Sequence, residues 1–115
     1  MITIISGTNR PENLSLRVSM AIAELLTSME IEAQILDLQK LPKDFVFRND
    51  VFGNPDPGFS AIVDQFISTA NRFVFVVPEY NGSFPGVCKA FIDAVFPIVN
   101  RITVGRRQFA AILRI

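Results

Sequence analysis

Arg72-Phe73-Val74-Phe75-Val76-Val77 is apolar from its second residue to its last, with no polar side chain at alternate positions. A strand with one wet face alternates, whereas a strand buried on both faces does not, and six residues suit a strand better than a helix. Ile2-Thr3-Ile4-Ile5-Ser6 has the same near-continuous character, and a third apolar run spans Ile31 to Leu38. Strands of this kind belong to a parallel sheet covered by helices on either side. Between the runs lie segments of helical period: Leu14, Val18, Ala21, Ile22, Leu25, Leu26 and Met29, then Phe59, Ile62, Val63, Phe66, Ile67 and Ala70. A third such segment holds Val87, Cys88, Phe91, Ile92 and Val95, and a fourth strand is expected at Gln108 to Leu113. The βαβαβα alternation predicts an α/β doubly wound parallel sheet with right-handed crossovers. At 115 residues the chain is expected to form a single domain, residues 1–115, able to bury about two thirds of its unfolded surface.

Composition agrees with a folded domain and removes several chemistries. Half of the residues are hydrophobic and only 19% are charged, which is unlike a disordered chain. With no histidine there is neither a Ser-His-Asp nor a Cys-His nucleophile system, nor an imidazole metal ligand. The lone Cys88 cannot close an intrachain disulfide or form a thiolate zinc site. Beside Phe91 and Ile92 in the helical pattern, it reads as a core residue. Without a basic leader or an apolar run near the ~20 residues that span a bilayer, the expectation is a cytoplasmic protein with no membrane partner.

Two segments break the pattern. Leu41 to Gly58 holds Pro42, Pro55, Pro57 and Gly53 beside Phe45, Phe47 and Phe52, which is long for a connection and aromatic for a linker. It is a binding loop, an interface, or a surface loop anchored by its own phenylalanines. The last fifteen residues carry four arginines and no acid, whereas the first hundred carry seven basic against eleven acidic residues. Apolar residues interleave the arginines, so this stretch reads as a strand or hairpin and not as a nucleic-acid arm; no nucleic-acid partner is expected.

In an open parallel sheet, ligands bind beyond the carboxyl ends of the strands where the strand order reverses, which in the order 2-1-3-4-5 lies between strands one and three. The loops there are Ser6-Gly7-Thr8-Asn9-Arg10-Pro11-Glu12-Asn13-Leu14-Ser15 and Pro78-Glu79-Tyr80-Asn81-Gly82-Ser83. The first offers hydroxyls, an amide and a guanidinium at the start of a helix, the outline of a phosphate site. The alternative is that Asn13 or Ser15 merely caps the helix and Gly7 merely turns the chain. A Walker loop and a dinucleotide fingerprint are both excluded for want of their lysine or glycines. In the second loop Asn81-Gly82 suits a hairpin turn, but Pro85 and the following helical period favour Ser83 as N-cap with Pro85 in the first turn. Tyr80 either offers its ring to a planar ligand or only seals the end of the sheet.

Taken together, Ser6-Gly7-Thr8-Asn9-Arg10 with Ser15, and Val77-Pro78-Glu79-Tyr80-Asn81-Gly82-Ser83-Phe84-Pro85-Gly86-Val87-Cys88-Lys89-Ala90-Phe91-Ile92-Asp93, resemble the NAD(P)H-dependent FMN reductase family of flavodoxin-like proteins. The likeness runs from Ile2 to about Asp93. It implies a flavodoxin-like sheet in the order 2-1-3-4, FMN as cofactor and NAD(P)H as co-substrate. By that resemblance Thr8, Arg10 and Ser15 would grip the FMN phosphate, with Ser6 and Asn9 as neighbours. Pro78, Glu79, Tyr80, Asn81, Gly82 and Ser83 would lie along the isoalloxazine, the amides of Tyr80, Asn81 and Gly82 facing its polar edge. No side chain need act as acid or base, because the cofactor carries hydride from the nicotinamide to a small-molecule acceptor such as a quinone, an azo compound or another flavin.

The chain departs from the family at Cys88, where leucine is usual, at Leu16, where relatives often place a polar group, and most of all after Asn100. Arg101 to Ile115 matches the family only faintly, at Gln108 to Leu113, and the family's third flavin loop, a further helix and a fifth strand are missing after Ile115, so a C-terminally shortened or altered reading frame is expected. The fourth strand then becomes a sheet edge, which predicts a homodimer or larger homo-oligomer. The competing function is a shortened flavodoxin-like module that binds flavin weakly or not at all and catalyses nothing. A phosphorylation-receiver domain shares the topology but needs clustered aspartates where this chain has Ser6-Gly7-Thr8 and Pro78-Glu79.

Overall fold

The computed structural model describes residues 1–48, 55–102 and 108–115, and within them the side chains outside 96–112. Four strands, β1 (Ile2–Ser6), β2 (Ala33–Asp37), β3 (Arg72–Val77) and β4 (Gln108–Arg114), form one parallel sheet in the order β2-β1-β3-β4. Helix α1 (Leu14–Ser28) follows β1, α2 (Pro57–Ile62) precedes β3, and α3 (Gly86–Ile102) joins β3 to β4. This is the parallel sheet that the apolar runs predict, in the strand order that the resemblance implies. Phe52, Gly53, Arg106 and Arg107, from the two irregular segments, lie outside the described residues.

Register explains why both faces of β1 and β3 are apolar. Ile5 stands beside Leu36 and Phe75, and Ile4 beside Ile35 and Val74. Since successive side chains point to opposite faces, Ile5, Leu36, Phe73, Phe75 and Val77 share one side. There they pack with Phe59 and Val63 and with Val87, Cys88, Phe91 and Ala94 of α3, forming the main core. Phe59 is its centre, stacked on Phe45 at 5.0 Å and edge-on to Phe91 at 6.1 Å. The loop phenylalanine Phe45 is thus a core residue, while Phe47 is 90% exposed.

On the opposite face α1 lies across the sheet with Ser15 and Ser19 buried beneath it. Small side chains let a helix approach strands closely, and the Ser19 hydroxyl returns to the Ser15 carbonyl at 2.8 Å. The apolar residues Leu14, Leu25 and Met29, expected from helical period to face the core, remain 58–61% exposed. They flank the buried serine stripe instead of lying under it.

The second helical segment is not uniform, since α2 passes at Val63 into a π-helical turn, Val63–Ser68. Two of its carbonyls accept from side chains of the sheet. Thr3 Oγ1 donates to the Phe66 carbonyl at 2.6 Å, and Gln34 Nε2 donates to the Gln65 carbonyl at 3.1 Å and to Thr3 Oγ1 at 2.9 Å. At the other end Asp56 caps α2 by accepting from the Phe59 amide, with Pro57 in the first turn. No helix among the described residues is long and apolar enough to cross a membrane.

Candidate functional site

The loop after β1 begins under tight steric control. The Gly7 amide continues the ladder to the Val76 carbonyl at 2.9 Å. A Cβ at position 7 would stand 3.2 Å from that oxygen, 3.3 Å from Val77 Cγ2 and 3.4 Å from Cys88 Sγ. The end of β3 and the first turn of α3 therefore close on a residue without a side chain. Burial of Cys88 at this point pushes its thiol from the ordinary 9.0 up to about 11.

Beyond Gly7 the loop is held by its own polar groups. Buried Thr8 Oγ1 accepts from the Arg10 amide at 3.2 Å and shares a hydrogen bond of 2.7 Å with the Tyr80 hydroxyl. Asn13 is the N-cap of α1: Oδ1 accepts from the Leu16 amide at 2.8 Å, and Nδ2 donates to the Arg10 carbonyl at 2.7 Å. With the capping role taken by Asn13, Ser15 is left in the first turn, 1% exposed, and its hydroxyl has no partner. The hydroxyl of Ser6 is likewise buried and unpartnered.

The loop after β3 differs from the expectation of a Ser83 cap. Asn81 and Gly82 both have positive φ, 53° and 80°, and Tyr80 and Ser83 exchange two backbone hydrogen bonds of 2.8 and 3.1 Å. This is the hairpin turn that Asn-Gly favours. The helix starts afresh after it, with the Pro85 carbonyl accepting from the Cys88 and Lys89 amides at 3.0 and 3.3 Å. Pro85 thus precedes α3 and Ser83 caps nothing, because the turn is complete in four residues and leaves Phe84-Pro85 to restart the chain. The Tyr80 amide is consumed inside the turn, so of the three amides considered, those of Asn81 and Gly82 remain for a ligand. The Tyr80 ring is tied through its hydroxyl to Thr8.

A cleft of about 460 Å³ opens between the two loops. Arg10, Ser15, Pro78, Glu79 and Tyr80 line it together, with Pro11 to Leu14 along one wall and Ile115 at the end of β4. Of the other expected site residues, Thr8 reaches it only through Tyr80, and Ser6 is enclosed. Asn9 faces a separate hollow of about 200 Å³ with Gln39, Lys43, Phe45 and Val87, and Asn81, Gly82 and Ser83 form the exposed turn beyond the cleft. The contribution of Ile115 had no local sequence signal, whereas that of Asn13 was visible as a cap. Among the described residues no group of three or more His, Cys, Asp or Glu could hold a metal.

An open parallel sheet in the order 2-1-3-4, with its cleft where the order reverses, defines a flavodoxin-like protein. The solved structure of the azoreductase AzrA has the same fold, with a TM-score of 0.51 and 22% identity over 82% of this chain and 54% of that one. The NADPH-dependent FMN reductase family matches residues 1–112, and the chain belongs to that family. A quinone reductase of Pseudomonas putida is 28% identical over 92 residues, 80% of this chain and 47% of that protein. An FMN-dependent NADH:quinone oxidoreductase of Geobacillus kaustophilus is 59% identical over 34 residues, 30% of this chain and 16% of that protein. The chain spans about half the length of the relatives that it matches over most of its own length.

Proposed function

We propose that the cleft holds FMN and that the chain serves the transfer of electrons from NAD(P)H to a quinone or an azo compound. The observation that carries this reading is the Ser15 hydroxyl: buried, partnerless, and set in the first turn of a capped helix beside Arg10. A buried hydroxyl without a partner costs about 1–3 kcal/mol, a cost offset when a ligand oxygen accepts its proton. The N-terminal amides of α1 and the Arg10 guanidinium add positive potential at the same place, so the donor set fits a phosphate. Thr8 supports the site by holding Tyr80 and the Arg10 amide, with Ser6 and Asn9 as neighbours. Pro78, Glu79 and Tyr80 form the wall for a planar ring, and the Asn81 and Gly82 amides, followed by Ser83, offer donors at its edge.

When bound, the flavin supplies two-electron redox chemistry. The chain's part is to bind and orient the ring, keep the phosphate paired and leave one ring face open to the nicotinamide and then to the acceptor. The quinone and azo classes are favoured by the Pseudomonas putida quinone reductase and the azoreductase AzrA. Among the described residues β4 is paired only with β3, so its outer edge offers unpaired backbone groups, and a second copy of this chain is the proposed partner. The working location proposed is the cytoplasm, where NAD(P)H is available.

The reading is tested by titrating the purified chain with FMN and following the quenching of flavin fluorescence, with Arg10→Ala in parallel. Saturable quenching that weakens in Arg10→Ala supports it, and NADPH oxidation in the presence of a quinone or an azo dye then tests catalysis. Absence of quenching in the unmodified chain favours the competing reading, a flavodoxin-like module without a flavin. Light scattering of the same sample reads the oligomeric state, for which a monomer at high concentration would remove the second copy.

A further inference from the structure

The end of β4 brings a second guanidinium to Glu79, a residue of the cleft wall. Arg114 stands opposite Val77 in the β3–β4 register, and the Ile115 amide donates to the Val77 carbonyl at 3.1 Å. The strand therefore stays on the sheet as far as the root of the Pro78 loop. From there the Arg114 guanidinium forms an ion pair with the Glu79 carboxylate. Glu79 shares the cleft with Arg10 and Ser15.

The pair is too exposed to matter much for folding, its side chains being 73% and 40% accessible. Its effect lies in the charge that the cleft presents to a ligand. Without Arg114, the carboxylates of Glu12 and Glu79 line the cleft against the single guanidinium of Arg10. A phosphate monoester carries close to two negative charges at pH 7 and would meet an unpaired Glu79 across the cleft. We propose that Arg114 is a specificity-determining residue: by neutralising Glu79 it lets the cleft prefer a phosphorylated flavin over the same ring without phosphate. The proposal rests on the reading of the cleft as a flavin site, and it adds a residue from a strand that the resemblance did not include in the site.

The test compares dissociation constants for FMN and riboflavin at low salt in the unmodified chain, Arg114→Ala, Arg114→Lys, Glu79→Gln and the double variant. Arg114→Ala should weaken FMN about three-fold and leave riboflavin unchanged, with the difference fading toward about 1 M salt. Arg114→Lys keeps the charge and should keep the preference, Glu79→Gln alone should tighten FMN, and Glu79→Gln on the Arg114→Ala background should restore it. Equal losses for FMN and riboflavin, or no recovery in the double variant, overturn the proposal while the flavin site stands. If the unmodified chain binds neither flavin, or binds riboflavin as well as FMN, the phosphate reading of the cleft falls, and this proposal with it.

Discussion

The hydroxyls of Thr8 and Tyr80 meet at 2.7 Å, joining residues 72 positions apart and tying the loop after β1 to the loop after β3. The same Thr8 oxygen accepts from the Arg10 amide, so one buried atom sets both the course of the first loop and the position of the Tyr80 ring. The cleft between the loops is shaped by this bond before any ligand enters.

The two ends of that bond are not equivalent, which orders the effects of removing them. Tyr80→Phe deletes one hydroxyl and leaves Thr8 Oγ1 with its amide donor, for an expected loss of about 0.5–1.5 kcal/mol. Thr8→Val leaves both the Tyr80 hydroxyl and the Arg10 amide without their partner, and should cost about 1–3 kcal/mol. Urea unfolding of the two variants measures this order. Equal costs would mean that the Arg10 amide gains nothing from Thr8 Oγ1 beyond what water supplies.

How much of this was legible in the sequence depended on whether the signal was local. Strands β1 and β3 were readable because burial on both faces leaves a nearly uninterrupted apolar run, as in Phe73 to Val77. The π-helical turn was not, since Phe59, Ile62, Val63, Phe66 and Ile67 have a spacing that an α-helix satisfies equally. At Asn81 to Pro85 two local signals competed for the same residues, and the structure honours both in succession, a turn and then a helix. The placing of Arg10, Ser15 and Tyr80 around one cleft followed from the strand-order rule. The bonds that hold the cleft, Thr8 to Tyr80 and Arg114 to Glu79, join distant residues that no window of sequence relates.

Ser15→Ala should move stability and binding in opposite directions. Removing a buried hydroxyl that has no partner relieves its desolvation, so the ligand-free protein should hold its stability or gain up to about 1 kcal/mol. Affinity for FMN should fall about ten-fold, as for the loss of one hydrogen bond to a charged group. Thermal melts with and without FMN read both effects. A variant destabilised without ligand would show that Ser15 is a structural residue.

Cys88 makes stability depend on alkaline pH. Its thiol is raised from 9.0 to about 11 by burial in the folded chain, so between those values the unfolded chain has lost a proton that the folded chain retains. Stability must then fall as pH rises through this window, by about 2–3 kcal/mol in all, and be unaffected by this group below it. Cys88→Ala should start lower by about 1 kcal/mol for the lost packing but lack that part of the slope. Urea midpoints at pH 8, 9, 10 and 11 for both proteins give the difference, and parallel curves would refute the assignment.

Glu30 offers a stabilising change that leaves the site untouched. It follows α1 with φ of 60°, while the Glu30 amide bonds to the Thr27 carbonyl at 3.0 Å and the Ile31 amide to the Leu26 carbonyl at 2.9 Å. This is the helix-ending motif whose left-handed position glycine fills best, and a side chain there carries a conformational cost. Glutamate also places a negative charge at the carboxyl end of the helix dipole, which adds a small repulsion. Glu30→Gly should therefore raise stability by about 0.5–1 kcal/mol despite the greater freedom of glycine in the unfolded chain. Glu30→Ala, which removes the charge but keeps the Cβ, separates the two contributions: it should recover only the electrostatic part. A urea midpoint for Glu30→Gly no higher than that for Glu30→Ala would mean that the left-handed backbone at this position carries no measurable strain.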